Sequence, residues 1–197
     1  TSVVAGCGGD EPSDLPSPLP EGSAPAPASP AVSLSPEDAQ AAEEILAAFD
    51  EYMAAYIELS TAGVPGGSEE AFARLRNVPV TGQAQTDLIF EVLNANYQAG
   101  KVANGNLRWD AEVVDIDWEF SFSHDPDRVF PRATLHVCFD ENDWRTVDVN
   151  TGEVMDDPRG RYLSTVTARR IDPETDLNLS GREGWFIESR EDGPEEC

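Results

Sequence analysis

The sequence predicts an α+β domain: three N-terminal helices packed on a curved antiparallel sheet of about five strands, preceded by a disordered proline-rich tether. Three observations predict it. Apolar residues recur at helical spacing from Ala42 to Tyr97, and from Leu107 onwards they alternate with a period of two. Helices come first and strands follow, with no βα alternation, which indicates helices laid on one face of a sheet. Residues 1–36 hold eight of the fifteen prolines and no Lys or Arg, and they show no apolar period at all. The division expected is a tether at 1–36 and a folded domain at 37–197.

Each element has its own signal. Ser35-Pro36-Glu37-Asp38 is a helix start, with Ser as N-cap, Pro at the first helical position and acids in the first turn. Ala42, Ile45, Leu46, Phe49, Tyr52, Met53 and Tyr56 follow on one face. This helix is expected to end near Ser60, ahead of Gly63-Val64-Pro65-Gly66-Gly67. Ser68-Glu69-Glu70 opens a short second helix carrying Phe72 and Leu75, which stops before Pro79. A third helix follows Thr81-Gly82, presents Leu88, Ile89, Val92, Leu93 and Tyr97, and stops at Gly100.

The strand half begins after Gly105. Leu107, Trp109, Ala111 and Val113 alternate, then Val114, Ile116, Trp118, Phe120 and Phe122 alternate in the opposite phase. The slip at Val113-Val114 predicts a β-bulge in one long bent strand. His124-Asp125-Pro126-Asp127 reads as a turn, Ala133 to Phe139 as the next strand, and Asp140 to Asp143 as a turn. Trp144–Val149, Arg161–Ile171 and Trp185–Ser189 complete the expected meander.

Charge narrows the function classes. Thirteen Lys and Arg stand against 38 Asp and Glu, a net charge of −25. Nucleic acid as a partner needs clustered cations to neutralise phosphates, and the one lysine is Lys101. Lying flat on an anionic bilayer is disfavoured for the same reason. The acidity divides as −4, −9 and −12 over residues 1–36, 37–100 and 101–197. An even spread suits a solvated, self-repelling surface better than a dedicated cation site.

Val4-Ala5-Gly6-Cys7 resembles a bacterial lipobox, in which an aliphatic residue and two small residues precede the cysteine that receives the lipid. The resemblance implies that Cys7 is the attachment site, that residues 1–6 are the remnant of a signal peptide, and that the chain sits on the outer face of the cell membrane. The Pro/Ser/Ala stretch behind it, about 28 residues in polyproline form, would reach roughly 80–90 Å. It would act as a spacer.

Further motifs follow in a fixed order. They are Gly100-x4-Gly105, Val114-x-Ile116-x-Trp118, Val137-Cys138-x-Asp140, Trp144, Asp148-x-x-Thr151-Gly152-Glu153 and Gly184-Trp185-Phe186-Ile187, with Cys197 at the end. With this order, residues 37–197 resemble secreted lipoproteins of high-GC Gram-positive bacteria built on the nuclear transport factor 2 fold, a cone of three helices on a bent sheet. That fold hosts isomerases, dehydratases and pure binding or dimerisation modules, so the resemblance fixes shape more than activity.

Assigning Cys7 to a lipid leaves Cys138 and Cys197 as an even pair, and an exported chain meets oxidising conditions in which such pairs close. A zinc site finds no CxxC or HxxxH spacing, so no metal or cofactor is expected. Asp172, Glu174, Asp176, Asn178, Ser180 and Glu183 are spaced like a calcium loop, but Leu177 stands at the obligatory glycine and strands flank the run. It reads as a long hairpin loop. An acid–base enzyme on this fold would draw on Asp115, Asp117, His124, His136 or Asp148, all expected to be solvated or hydrogen-bonded on the outer face.

The function expected is a cell-surface lipoprotein whose cone binds an unknown protein or a small apolar ligand without chemistry. Tyr52, Tyr56, Tyr97, Trp109 and Trp118 are the candidate pocket residues. An isomerase- or dehydratase-like enzyme is the alternative, and a homodimer formed through the open sheet face is a second.

Overall fold

The computed structural model describes residues 35–62, 67–90, 100–156, 158–172 and 182–197. All lie in the second of the chain's two units, Leu34–Cys197. Cys7 with most of the tether, the expected helical stretch through Val92, Leu93 and Tyr97, and most of the loop from Asp172 to Glu183 lie outside the described residues.

Helix α1 (Pro36–Ala62) begins where its cap demands: the Asp38 amide donates to Ser35 Oγ at 3.1 Å. Its inward stripe is Ala41, Ile45, Ala48, Phe49, Tyr52, Met53 and Leu59, with half-buried Tyr56 completing the helical spacing between the last two. In α2 (Gly67–Leu75), Leu75 is buried but Phe72 is 45% exposed, so the second helix lends one apolar residue to the core where two were expected. Arg74 on α2 donates to Glu58 on α1 at 2.9 Å. Helix α3 (Gly82–Asp87) is one and a half turns long, and the backbone then widens into a π-type turn at 88–90. Ala84 and Leu88 are its buried residues.

Among the described residues eight strands follow: β1 (Lys101–Asn104), β2 (Arg108–Asp117), β3 (Ser121–Phe122), β4 (Asp125–Val129), β5 (Arg132–Asp140), β6 (Arg145–Asp148), β7 (Arg161–Ile171) and β8 (Gly184–Asp192). The main sheet has four strands, in the order β2-β5-β7-β8, all antiparallel. Two further pairs, β1-β6 and β3-β4, stand as separate two-stranded ribbons. The fold class is therefore α+β, but a four-stranded sheet with two ribbons replaces the expected five-stranded meander.

Two differences have simple physical reasons. The register between β2 and β5 slips between Val113 and Asp115, at the expected bulge. Val114 is the extra residue and points outward at 43% exposure, so it starts no inward run. The long strand also ends at Asp117, and Phe120 and Phe122 belong to the β3-β4 hairpin. Its turn is Ser123-His124, because Phe122 pairs with Asp125. Pro126 sits within β4 and is tolerated there because β4 pairs with β3 alone among the described strands.

The sheet has one greasy face. Leu135, Val137, Phe139, Val166, Ala168 and Ile187 are all at 0% exposure and pack with the α1 stripe. On the opposite face the Phe122 ring meets Phe120 and Phe130 at 5.2 and 5.1 Å between centroids. Arg132 lies over Phe120 and Arg169 over Phe130, and both guanidiniums approach Glu188. The outer edge of β8 is partly covered: Thr81 N–H donates to the Ile187 carbonyl at 2.9 Å, and Ile187 N–H to that of Pro79 at 2.8 Å. Gly105 cannot be replaced cheaply. It has φ +108°, and a Cβ there would lie 1.6 Å from the Asp143 carbonyl oxygen. Among the described residues no helix is long and apolar enough to cross a membrane.

Cys138 and Cys197 are joined, with Cα atoms 5.8 Å apart across a separation of 59 residues. The tail leading to Cys197 is also stitched to β7: Gly193 N–H donates to the Leu163 carbonyl at 2.8 Å, and Leu163 N–H to that of Glu195 at 2.9 Å. Urea denaturation of Cys197→Ser against the oxidised chain should show a stability loss of roughly 4 kcal/mol, the chain-entropy figure for a loop of this length. A loss below about 1 kcal/mol would mean that the bridge adds little to a tail already held by its backbone bonds.

Candidate functional site

The sheet's helix-covered face is apolar along most of its length and turns polar at one end. On α1, Tyr52 and Tyr56 are one turn apart and so share a face. On β7, Tyr162, Ser164 and Val166 alternate inward. The β7-β8 register sets Val166 opposite Arg190 and Ser164 opposite Asp192. This brings two charged residues of β8 onto the inward face, where β7 supplies a tyrosine and a serine to receive them.

Tyr52, Tyr56, Tyr162, Arg190 and Asp192 line a cleft of about 280 Å³, with Asp87 from the end of α3, Leu88 just after it, Glu141 from the turn after β5, and Arg159 from just before β7. Its centre is the Arg190 side chain, 15% exposed. A guanidinium so covered needs its donors met. Arg190 Nε donates to Asp192 Oδ1 at 2.8 Å, and Nη2 donates to the Tyr162 hydroxyl at 2.6 Å. The guanidinium also lies over the Phe139 ring, 4.1 Å from its centroid. The Tyr162 hydroxyl in turn donates a hydrogen bond to Glu141 Oε1 at 2.5 Å. Ser164 Oγ donates to Asp192 Oδ1 at 2.7 Å, and Arg159 Nη1 donates to Asp192 Oδ2. The Arg159 guanidinium sits 4.0 Å over the Tyr162 ring.

Burial alone would raise the Asp192 pKa, but the Arg190 charge and the hydrogen bonds from Ser164, Arg159 and Arg190 outweigh it and hold the carboxyl below the ordinary value of 3.8. Burial pushes the Tyr162 hydroxyl well above its ordinary value of 10.0; the Arg190 charge pulls the other way, and the bond to Glu141 adds to the rise. At neutral pH Asp192 stays ionised and Tyr162 stays protonated. Neither is poised to exchange a proton.

The candidate pocket residues separate. Tyr52 and Tyr56 line this cleft. Trp109 packs edge-on against Phe49 and donates Nε1–H to Asp50 at 3.1 Å. Trp118 donates to Asp38 at 2.8 Å and lines a smaller cleft of about 140 Å³ beside the first turns of α1, with Trp185, Arg170 and Glu44. Tyr97 lies outside the described residues. Asp115, Asp117, His124 and His136 are exposed. Asp148, the last residue of β6, anchors the turn that follows: it accepts the amides of Thr151 and Asn150 at 2.9 and 2.8 Å, which hold its carboxyl below the ordinary range. Among the described residues no group of three or more His, Cys, Asp or Glu is placed to hold a metal ion.

Sequence reasoning missed Arg159, Glu141, Tyr162, Arg190 and Asp192. One signal was available. Ser164 falls on the inward phase of an otherwise apolar strand and is 0% exposed, and a serine buried there calls for a polar partner.

Asp192 links this geometry to stability and pH. Its folded-state pKa lies below its unfolded one, so the carboxylate's contribution is fully present above pH 3.8 and is lost as pH falls through the lower, folded value. Asp192→Asn should cost about 2 kcal/mol at pH 7, the scale of hydrogen bonds to a charged group. Urea titrations of both proteins should show that difference shrinking below pH 3.8; a gap that is constant with pH would remove the carboxylate's charge from the account.

Compared with known proteins, the chain matches no family model and no curated protein, so what the cleft does is argued from its own chemistry.

Proposed function

We propose that this chain is a cell-surface lipoprotein, anchored through Cys7, whose nuclear transport factor 2-like domain binds a small polar ligand in the Arg190–Asp192 cleft without chemistry. The observation that carries the reading is the Arg190 guanidinium, held in place on an open cleft by Asp192, Tyr162 and the Phe139 ring. A group fixed before the ligand arrives loses little entropy on binding, which is what a recognition site needs. The polar lining favours a polar ligand over the apolar one that the sequence suggests. Binding is favoured over acid–base catalysis because Asp192 and Tyr162 are both driven away from neutrality. A long helix laid across a bulged antiparallel sheet supports the cone-like fold.

Two experiments test the two halves of the reading. Ligand-observed NMR with a panel of small polar compounds should find binders whose contact amides are Tyr162, Ser164 and Arg190. Their affinity should fall at least about tenfold in Arg190→Met, which removes the group that holds Asp192 and Tyr162 in place, and measurably in Tyr56→Phe. Binders confined to other surfaces, or unaffected by both substitutions, would refute the cleft as a ligand site. Separately, mass spectrometry of the native chain from a membrane fraction should find a lipid adduct on Cys7. An unmodified Cys7 inside an uncleaved N-terminal peptide would remove the anchor and leave the cleft reading standing.

A further inference from the structure

We propose that the ligand of this cleft is cationic, an alkylguanidinium or alkylammonium group, and that it binds where the Arg159 guanidinium now sits. The inference rests on the reading of the cleft as a ligand site and names the chemistry of its ligand. The two arginines of the cleft are held very differently. Arg190 is 15% exposed, spans Asp192 and Tyr162 and stacks on Phe139, so its removal would dismantle the wall. Arg159 comes from the chain just ahead of β7 and its side chain is 46% exposed. It meets the cleft through two features: a carboxylate oxygen, Asp192 Oδ2, and an aromatic face, the Tyr162 ring 4.0 Å below it.

A carboxylate beside an aromatic face is the combination that captures guanidinium and ammonium groups. Arg159 therefore occupies a cation subsite from within the chain. It holds that place weakly, because exposed ion pairs contribute little and long side chains lose entropy when fixed. A free cation that also reaches Asp87, which lines the same cleft, adds a carboxylate to the field of Asp192 and Glu141 that Arg159 already feels.

Charge excludes the other ligand classes. With Arg159 swung out, the lining keeps three carboxylates, Asp87, Glu141 and Asp192, against the single guanidinium of Arg190. An anion would enter against that excess and against the field of a chain of net charge −25. A neutral ligand would cover carboxylates without replacing the charge partner that Asp192 loses. The volume, about 280 Å³, suits one small alkylguanidine or the tip of one arginine side chain.

The test is a titration of the 15N-labelled full chain with agmatine, with acetyl-Gly-Arg-Gly-amide, with urea as the uncharged counterpart of guanidinium, and with acetate. Wild type, Arg159→Gln and Asp192→Asn are compared. Agmatine should shift the Tyr162 and Asp192 amides in wild type and bind about tenfold tighter to Arg159→Gln, the combined scale of one exposed ion pair and one cation–π contact. Asp192→Asn should lose at least about tenfold. Agmatine binding more tightly than the peptide identifies a free small cation as the ligand, and the reverse order identifies an arginine side chain; either result supports the cation subsite. Equal agmatine affinity in wild type and Arg159→Gln, or cleft shifts with urea or acetate and none with agmatine, would overturn the proposal and leave the cleft as a site for another ligand. No cleft shift with any probe, nor with the wider polar panel, would overturn both. Should Arg159→Gln prove poorly folded, the wild-type ranking of agmatine against urea and acetate decides the charge preference alone.

Discussion

The sheet's apolar face is the constraint on which the rest of the structure depends. Leu135, Val137, Phe139, Val166 and Ile187 have no exposed area, and something must keep water off them. The α1 stripe does so from Ala41 to Leu59. Tyr52 and Tyr56 lie within that cover and line the cleft that opens beside it. The sheet answers in kind, with Tyr162, Ser164, Arg190 and Asp192 on the inward phase where the strands above them carry Val166, Ala168 and Ile187. The cleft is the polar margin of the core, and its residues are held by the same register that holds the core.

That relation explains how much could be read from the sequence. The first helix was legible because its cap, its acidic first turn and its apolar spacing all agree. Strands β5 and β7 were legible because Leu135, Val137 and Phe139, and then Val166 and Ala168, alternate without interruption. The bulge showed as a phase slip, but which residue it expels depends on pairing with β5, a non-local fact. Strand β4 was hidden because Asp125-Pro126-Asp127 is turn chemistry, and only its isolated pairing with β3 makes it a strand. Arg190 and Asp192 were hidden for the same kind of reason. A register shift in the β7-β8 pair, between Thr167 and Ala168, resets the phase of β8 beyond Ile187 and turns them inward. Nothing local in Ser189-Arg190-Glu191-Asp192 announces which way each side chain points.

The scarcity of cations gives their positions meaning. The chain has 13 basic residues for 38 acidic ones, and twelve of the thirteen are arginines. Several are drawn into partly covered places: Arg132 and Arg169 around Glu188, and Arg190 in the cleft. Each of these lies over an aromatic ring, as do Arg128 and Arg159. A planar, weakly hydrated guanidinium can stack and bond at once, which the compact ammonium of lysine cannot do. Those cations are paired with carboxylates and rings within the fold, on a chain whose net charge is −25. Small cations accumulate near such a chain, and anions are held off by a field that is screened beyond about 8 Å at physiological salt.

The disulfide connects the tail to this arrangement. Asp192 is the last residue of β8, and at a free strand end its carboxylate would sample many positions. The chain does not run free after it. Gly193 and Glu195 bond to Leu163 on β7, and Cys197 is joined to Cys138 on β5. Asp192 is thus fixed from both sides, by strand pairing with Ser164 before it and by a stitched tail after it. Arg159 stands against this fixed carboxylate from the chain ahead of β7, where its backbone belongs to no strand. Of the two partners in that ion pair, the anion is held by the strand and the tail, and the cation's side chain is the more exposed. On the proposed reading a ligand cation would displace Arg159 without disturbing the wall, because the displaced side chain is the more exposed partner and its backbone belongs to no strand.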